Sequence, residues 1–314
     1  MLSVFCLPAL PAHVTDTTTP QALETPLPGG SVGATVRLHP LLAGQCLVPP
    51  GLLERPPGRL GRPRGMGFGV AKSDWTWIPI PAFLIEHPSA GPVLVDTGFH
   101  PSVAVDPKRN MGRISTLLYE FRVTAEQALH VQLQARGVDP QDVRVVIMTH
   151  LHWDHASGVS ELPAATFVLD RREWPAARAH RSFMRGYTPR QLAGGLDWRA
   201  VDFDAPGVGS VGPFGHGVDL FGDGSVRLLS TPGHTRGHQS VLLRLGDREA
   251  LLTGDAAYSR RTIEKTVMPL LSADERLFRR SLSEIQRFAA QSPDALVVPG
   301  HDPDTWRTLD AVYG

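Results

Sequence analysis

Short apolar runs begin at Val36 and recur to the C-terminus, separated by stretches rich in Gly, Pro and polar residues. Runs of this length, bounded by turn formers, predict strands more often than long helices. Residues 75–86 and 92–96 read as paired strands, the second closing in the turn Asp96-Thr97-Gly98. Residues 143–148 form a β-branched run, the pattern of a strand buried on both faces. Further strands are predicted at 166–169, 226–229, 240–245, 250–253 and 295–298. Two segments have helical spacing. In residues 124–136, Thr124 is the N-cap, Gln127 lies three residues on, Leu129 and Leu133 are four apart, and Gly137 is the stop. Ser272-Ala-Asp-Glu275 reads as a capping box opening a longer helix with Leu277, Leu282, Ile285 and Phe288 toward the core. Strands and helices mixed in this way, with no repeat and no dividing linker, predict one layered α/β domain over residues 36–314. Residues 1–35 are rich in Thr, Pro and Gly and read as a flexible N-terminal arm.

Composition removes several function classes. The 314 residues carry 31 Lys+Arg against 31 Asp+Glu, a formal net charge of zero. That balance argues against sustained attraction to nucleic acid or anionic lipid, so neither partner is expected. Two cysteines cannot build a disulfide framework or a four-Cys zinc site. No apolar run approaches a membrane span, and the apolar start at residues 1–10 lacks the basic residues of an export signal. The expectation is a cytoplasmic protein, with export through a weak signal as the alternative. Residues 53–69 hold Arg55, Arg59, Arg62 and Arg64 in a Gly/Pro-rich loop, read as a solvated loop, a lid or an oligomer contact.

The 13 histidines are the least ordinary number. The strand ending near Met148 runs into His150-Leu-His152-Trp-Asp154-His155, which is four potential metal ligands in six residues. Thr231-Pro-Gly-His234, Thr253-Gly-Asp255 and Pro299-Gly-His301-Asp302 each follow a predicted strand. Glycine there lets the backbone turn sharply and approach an ion. Imidazole and carboxylate donors together suit Zn²⁺ or a related first-row cation.

This constellation resembles the metallo-β-lactamase superfamily, and Asp96-Thr97-Gly98 fits the same likeness. The resemblance implies an αβ/βα sandwich with a dinuclear metal site at one edge. It implies that His150, His152 and His234 hold one ion and that Asp154, His155 and His301 hold the other. Asp255 then bridges both, and Asp96 supports without ligating. His238, four residues past His234, is read as structural. The cofactors expected are two divalent ions, zinc first, with Co, Mn or Fe accepted by the same donors.

Within the superfamily, Asp at 255 stands where the best-known zinc β-lactamases place Cys. Tyr258, three residues after Asp255, resembles the N-acyl-homoserine lactonases. So do Gly233-His234-Thr-Arg-Gly237-His238-Gln239-Ser240 and Gly300-His301-Asp302, although Arg236 stands where that family often has proline. The implied reaction opens a lactone ring by attack of a metal-bridging hydroxide. Tyr258 would stabilise the oxyanion and Asp154 would carry the proton. Trp153, Met66 and Phe68, with Trp75 and Trp77 behind them, are the candidates for contacting the acyl chain. A homodimer through the N-terminal arm and the arginine-rich loop is part of the same reading. The rival readings are an ester, thioester or organophosphate hydrolase of the same fold, and a metal-binding but catalytically silent module.

Overall fold

The computed structural model describes residues 19–314. The apolar start of the chain and His13 lie outside them.

Two sheets form the frame. The first contains β1 (Gln21–Ala22), β2 (Arg37–Val48), β3 (Thr76–His87), β4 (Gly91–Val95), β5 (Glu120–Arg122), β6 (Val145–Ile147), β7 (Thr166–Asp170) and β8 (Asp197–Val201). Their spatial order is β1-β8-β7-β6-β4-β3-β2-β5. The pairs from β1 to β4 are parallel, and β3, β2 and β5 add antiparallel. The second sheet contains β9 (Gly209–Val211), β10 (Phe214–Asp219), β11 (Val226–Ser230), β12 (Gln239–Arg244), β13 (Glu249–Leu252) and β14 (Leu296–Val298), in the order β14-β13-β12-β11-β10-β9.

Period-two alternation decides which face each residue serves. On β3 and β4, Phe83, Ile85, Val93 and Val95 point between the sheets and meet Val226, Leu228, Val241, Leu243 and Leu252. Ala82, Leu84 and Leu94 point the other way, toward Leu129, Leu133, Ala156 and Trp174 on the outer helical layer. On the far side, the helix Glu275–Gln291 packs Phe278, Leu282, Ile285 and Phe288 against Leu229, Leu242 and Leu251. The layers are therefore helix, sheet, sheet, helix, as the resemblance implies.

Two expectations are corrected. The segment 124–136 is not one helix: a 3₁₀ turn, Ala125–Gln127, is separated from a helix, Leu129–Gln134, by extended Ala128. Gln132 Nε2 donates to the Gln127 carbonyl, which a continuous helix would have paired internally, and to the Leu42 carbonyl of β2. The long helix is capped by Asp274, not Ser272, because the Asp274 carboxylate accepts the N–H groups of Arg276 and Leu277 at 2.9 and 3.0 Å. Asp274→Ala should lower unfolding stability by about 1 kcal/mol in denaturant titration, with Ser272→Ala near zero.

Of the N-terminal arm, residues 19–35 are described, and they lie on the domain. β1 pairs with β8, Leu27 N–H donates to the Leu220 carbonyl, and Leu23 and Leu27 pack on the intersheet core. Asp223 clasps this segment by accepting the Ser31 N–H at 2.9 Å and facing His87 Nε2 at 3.0 Å. Burial pushes the Asp223 carboxyl up, but hydrogen bonds from Ser225, Ser31 and His87 outweigh it and hold it at about 2. A depressed folded value means the stabilisation is present above the unfolded value of about 4 and is lost as pH falls toward 2. Asp223→Asn should therefore cost about 1–3 kcal/mol at neutral pH. Its loss of melting temperature between pH 4 and 2 should be shallower than that of the parent.

Candidate metal centre and active site

Every predicted ligand leaves the carboxyl end of a strand at one edge of the sandwich. β6 is followed by His150 and His152, and the latter opens the short helix Trp153–Ala156 that carries Asp154 and His155. β11 delivers His234, β13 delivers Asp255 through the 3₁₀ turn Gly254–Ala256, and β14 delivers His301. The close packing depends on glycine. A Cβ on Gly300 would come within 2.7 Å of Asp255 Oδ1, so no larger residue fits beside that carboxylate.

The donors form two groups around one carboxylate. His234 Nε2 lies 3.2 Å from His150 Nε2 and 2.9 Å from His152 Nδ1, and Asp255 Oδ2 faces His234 Nε2 at 3.3 Å and His150 Nε2 at 3.9 Å. On the other side, Asp255 Oδ1 faces His301 Nε2 at 3.1 Å and His155 Nε2 at 3.4 Å. Asp154 Oδ2 joins that group at 3.4 Å from His301 and 3.7 Å from His155. The structure thus brings all seven residues together, with Asp255 between the halves.

The outer nitrogen of each imidazole is already occupied, which fixes the inward one as the free donor. His155 Nδ1 donates to Asp96 Oδ2 at 2.7 Å, and His301 Nδ1 donates to the Pro79 carbonyl at 2.9 Å. Thr149 Oγ1 donates to Asp96 Oδ2 and faces His150 Nδ1 at 3.1 Å. The backbone of Arg185 holds His152, and Tyr258 Oη meets His234 Nδ1 at 3.1 Å. Asp96 adopts φ 56°, which aims its carboxylate at the Thr149 N–H, 2.7 Å away. His238 has no inward nitrogen to offer. Its Nε2 accepts the Asp255 N–H at 2.9 Å, so Nδ1 carries the hydrogen toward Thr231 Oγ1.

These residues fit a pair of cations. Among the buried polar atoms, His155 Nε2 and Asp255 Oδ1 have no hydrogen-bond partner, and both point into the cluster. Nitrogen lone pairs converging at about 3 Å repel one another unless a proton or a cation lies between them. Burial, reinforced by neighbouring imidazoles, holds His150 well below its ordinary range, and burial brings His152 and His234 to about 3. These three stay neutral and can ligate. Burial also lowers His155 and His301, but the facing carboxylates outweigh it and raise both. Cations there would take the place of protons, so loading would release protons and weaken in acid.

Beside the cluster runs a cleft with about 990 Å³ of empty space, its open mouth included. Trp153, Asp154, Tyr258 and His301 form its floor, and Val48, Leu52, Ile78 and Leu270 form an apolar wall. Trp153 stacks on Phe99 with ring centroids 6.0 Å apart and 18° between planes. Of the residues expected at an acyl pocket, the structure places Met66 at the cleft, half exposed. It does not bring Phe68 there: that ring is 66% exposed and lies outside the lining. Trp75 packs over Gly67, and Trp77 lies under the Arg122 guanidinium, 3.7 Å from the ring centroid. Sequence reading missed Tyr119, Leu118, Ile114 and Met184, which line the same cleft. No local signal marks them, since each reads as an ordinary apolar position in a loop or short helix. Glu173, buried beneath the His150–His152 loop, was missed as well.

The chain belongs to the metallo-beta-lactamase superfamily, whose pattern matches residues 75–301. Curated relatives narrow the likeness. An N-acyl homoserine lactonase AttM from Agrobacterium fabrum is 37% identical over 235 residues, covering 73% of this chain and 84% of that one. A probable metallo-hydrolase from Mycobacterium tuberculosis is 31% identical over 246 residues, covering 71% and 75%. Among solved structures, a mutant of AiiA from B. thuringiensis with N-decanoyl-L-homoserine bound at its active site superposes with a TM-score of 0.70. It is 24% identical and covers 88% of this chain and 97% of that one, which establishes the shared fold.

Proposed function

We propose that this chain is an N-acyl homoserine lactonase, hydrolysing the ring ester at a dinuclear metal site and so quenching a quorum signal. The observation that carries this reading is Tyr258. Its hydroxyl stands over the donor cluster, and its ring lines the cleft between that cluster and the apolar wall. Relatives named as N-acyl homoserine lactonases support it. His150, His152 and His234 would hold one ion and Asp154, His155 and His301 the other, with Asp255 placed to serve both. All-imidazole and carboxylate donors favour zinc, with Co, Mn or Fe as substitutes.

When bound, two divalent cations supply Lewis acidity and an activated water. The chain's residues do the rest. The apolar cleft takes the acyl chain, with Trp153 and Met66 as its contacts, and places the ring over Asp255. Burial, reinforced by Asp255 and Asp154, pushes the Tyr258 phenol well above its ordinary range, so it stays protonated. With His234 Nδ1–H donating to Tyr258 Oη, the phenol hydrogen, which faces Asp255, can turn to the oxyanion at the attacked carbonyl. Burial also raises Asp154, against the pull of His155 and His301. Asp154 then takes the water's proton and returns it to the ring oxygen. The acyl carbon gains one oxygen from water and loses the ring oxygen, which leaves as the hydroxyl of an N-acyl-homoserine. Pairing of two copies through the N-terminal arm and residues 53–69, where Leu60, Met66 and Phe68 stand exposed beside Arg59, Arg62 and Arg64, belongs to the same reading.

Steady-state assays of acyl-homoserine lactones against an aryl ester, a thioester and a phosphotriester test the reaction. Lactone kcat/KM should exceed the others by at least about tenfold, the scale at which one transition-state contact discriminates. Equal turnover of the aryl ester would overturn it, and under one ion per chain would favour a silent module.

A further inference from the structure

Below the first donor group lies a carboxylate with no role in the reaction as derived. Glu173, in the first turn of the helix Glu173–Arg178, is fully buried. Its Oε1 accepts the Leu151 N–H at 3.0 Å and the Tyr187 hydroxyl at 3.1 Å, and its Oε2 accepts the Gly237 N–H at 3.1 Å. These donors come from three separate segments. Leu151 sits between His150 and His152. Gly237 lies three residues beyond His234. Tyr187 bridges to the His152 backbone and packs its ring edge-on against that imidazole, with centroids 4.7 Å apart.

We propose that Glu173 is the positioning residue for the His150/His152/His234 half of the site, tying together the three segments that aim those imidazoles. The inference rests on the dinuclear reading above. A buried carboxylate is expensive to desolvate and is retained where several donors converge on it. Here they converge from three loops that are otherwise joined only in pairs, by Trp153 N–H to the Gly186 carbonyl and Gln239 N–H to the Thr149 carbonyl among others, and Glu173 touches all three. The approach is tight: a Cβ on Gly237 would lie 2.3 Å from the Glu173 nitrogen, so the loop seats only with glycine there. The other half of the site has its own anchor. Asp96 holds His155 Nδ1, and the Thr97 N–H and hydroxyl both donate to the His155 carbonyl. None of the three donors on Glu173 flanks Asp255 or His301.

The asymmetry makes the proposal testable. In Glu173→Gln the amide oxygen can still serve Leu151 and Tyr187, but its NH₂ faces the Gly237 N–H, donor against donor. Gly237→Ala pushes the same loop away without touching the carboxylate. Each variant, and the parent, is loaded with Co²⁺ and dialysed against graded chelator, with ion content and visible absorption followed together. The parent should hold two ions per chain. In both variants one ion should be held as before and the other about 10–100-fold more weakly, the usual effect of removing an outer partner of a metal ligand. One of two absorption components should fade with it. Equal weakening of both ions, or parent-like retention of both, would overturn the proposal. A fully loaded parent with fewer than two ions would instead overturn the dinuclear reading itself.

Discussion

Asp255→Ala should leave a folded protein that holds less than one ion per chain and has lost lactone hydrolysis by roughly a thousandfold or more. The magnitude follows from geometry. One carboxylate faces four imidazole nitrogens, two through each oxygen. Burial pushes Asp255 up, but His301, His234 and His155 outweigh it and hold it well below its ordinary range, so it is the anionic centre of the cluster. Emptying the site would remove the Lewis acidity and activated water the ions supply, several kcal/mol of transition-state stabilisation, and about 4 kcal/mol is roughly a thousandfold in rate. Ion content by elemental analysis and a chelator-free lactone assay, measured on the same preparation, decide the matter. A variant that kept two ions would show that Asp255 does not bridge.

Tyr258→Phe should separate binding from chemistry. The hydroxyl is lost while the buried ring and its packing against His234 and His301 remain. Ion content should stay at the parent level, and lactone kcat should fall by about 10- to 1,000-fold, the range for one oxyanion donor. KM should move little, because the hydrogen bond strengthens only as the carbonyl oxygen gains charge. An unchanged kcat would remove Tyr258 from the reaction. A fall in ion content would mean that the phenol serves His234 alone.

The sequence carried the site more fully than the frame around it. His150, His152, Asp154 and His155 sit so densely after a buried strand that chemistry is their simplest explanation. His234, Asp255 and His301 repeat one local design of strand, glycine and ligand. Local patterns of this kind survive in one dimension because strand, turn and donor are contiguous. The N-cap at Asp274 was lost because Ser272 offered an equally good local pattern, and only backbone geometry separates them. The packing of residues 19–35 was not legible because their composition is that of a free tail, whereas Asp223 and β8, some 190 and 180 residues away, hold them. The cleft was least legible. Phe68 and Met66 are two residues apart, yet one reaches the cleft and the other faces solvent. Glu173 was invisible for the same reason, since its three partners are neighbours only after folding.

The strand ends that carry the donors belong to both sheets. His150, His152, Asp154 and His155 follow a strand of the first sheet, and His234, Asp255 and His301 follow strands of the second. On the proposed assignment, each ion takes ligands from both sides of the seam and acts as a rivet across it. Neither half of the polypeptide alone can offer either ion a complete set of donors. Ion capture then inspects assembly: a chain that has not closed its two sheets stays empty and cannot turn over substrate, and one that has closed them is locked shut by the ions that make it active.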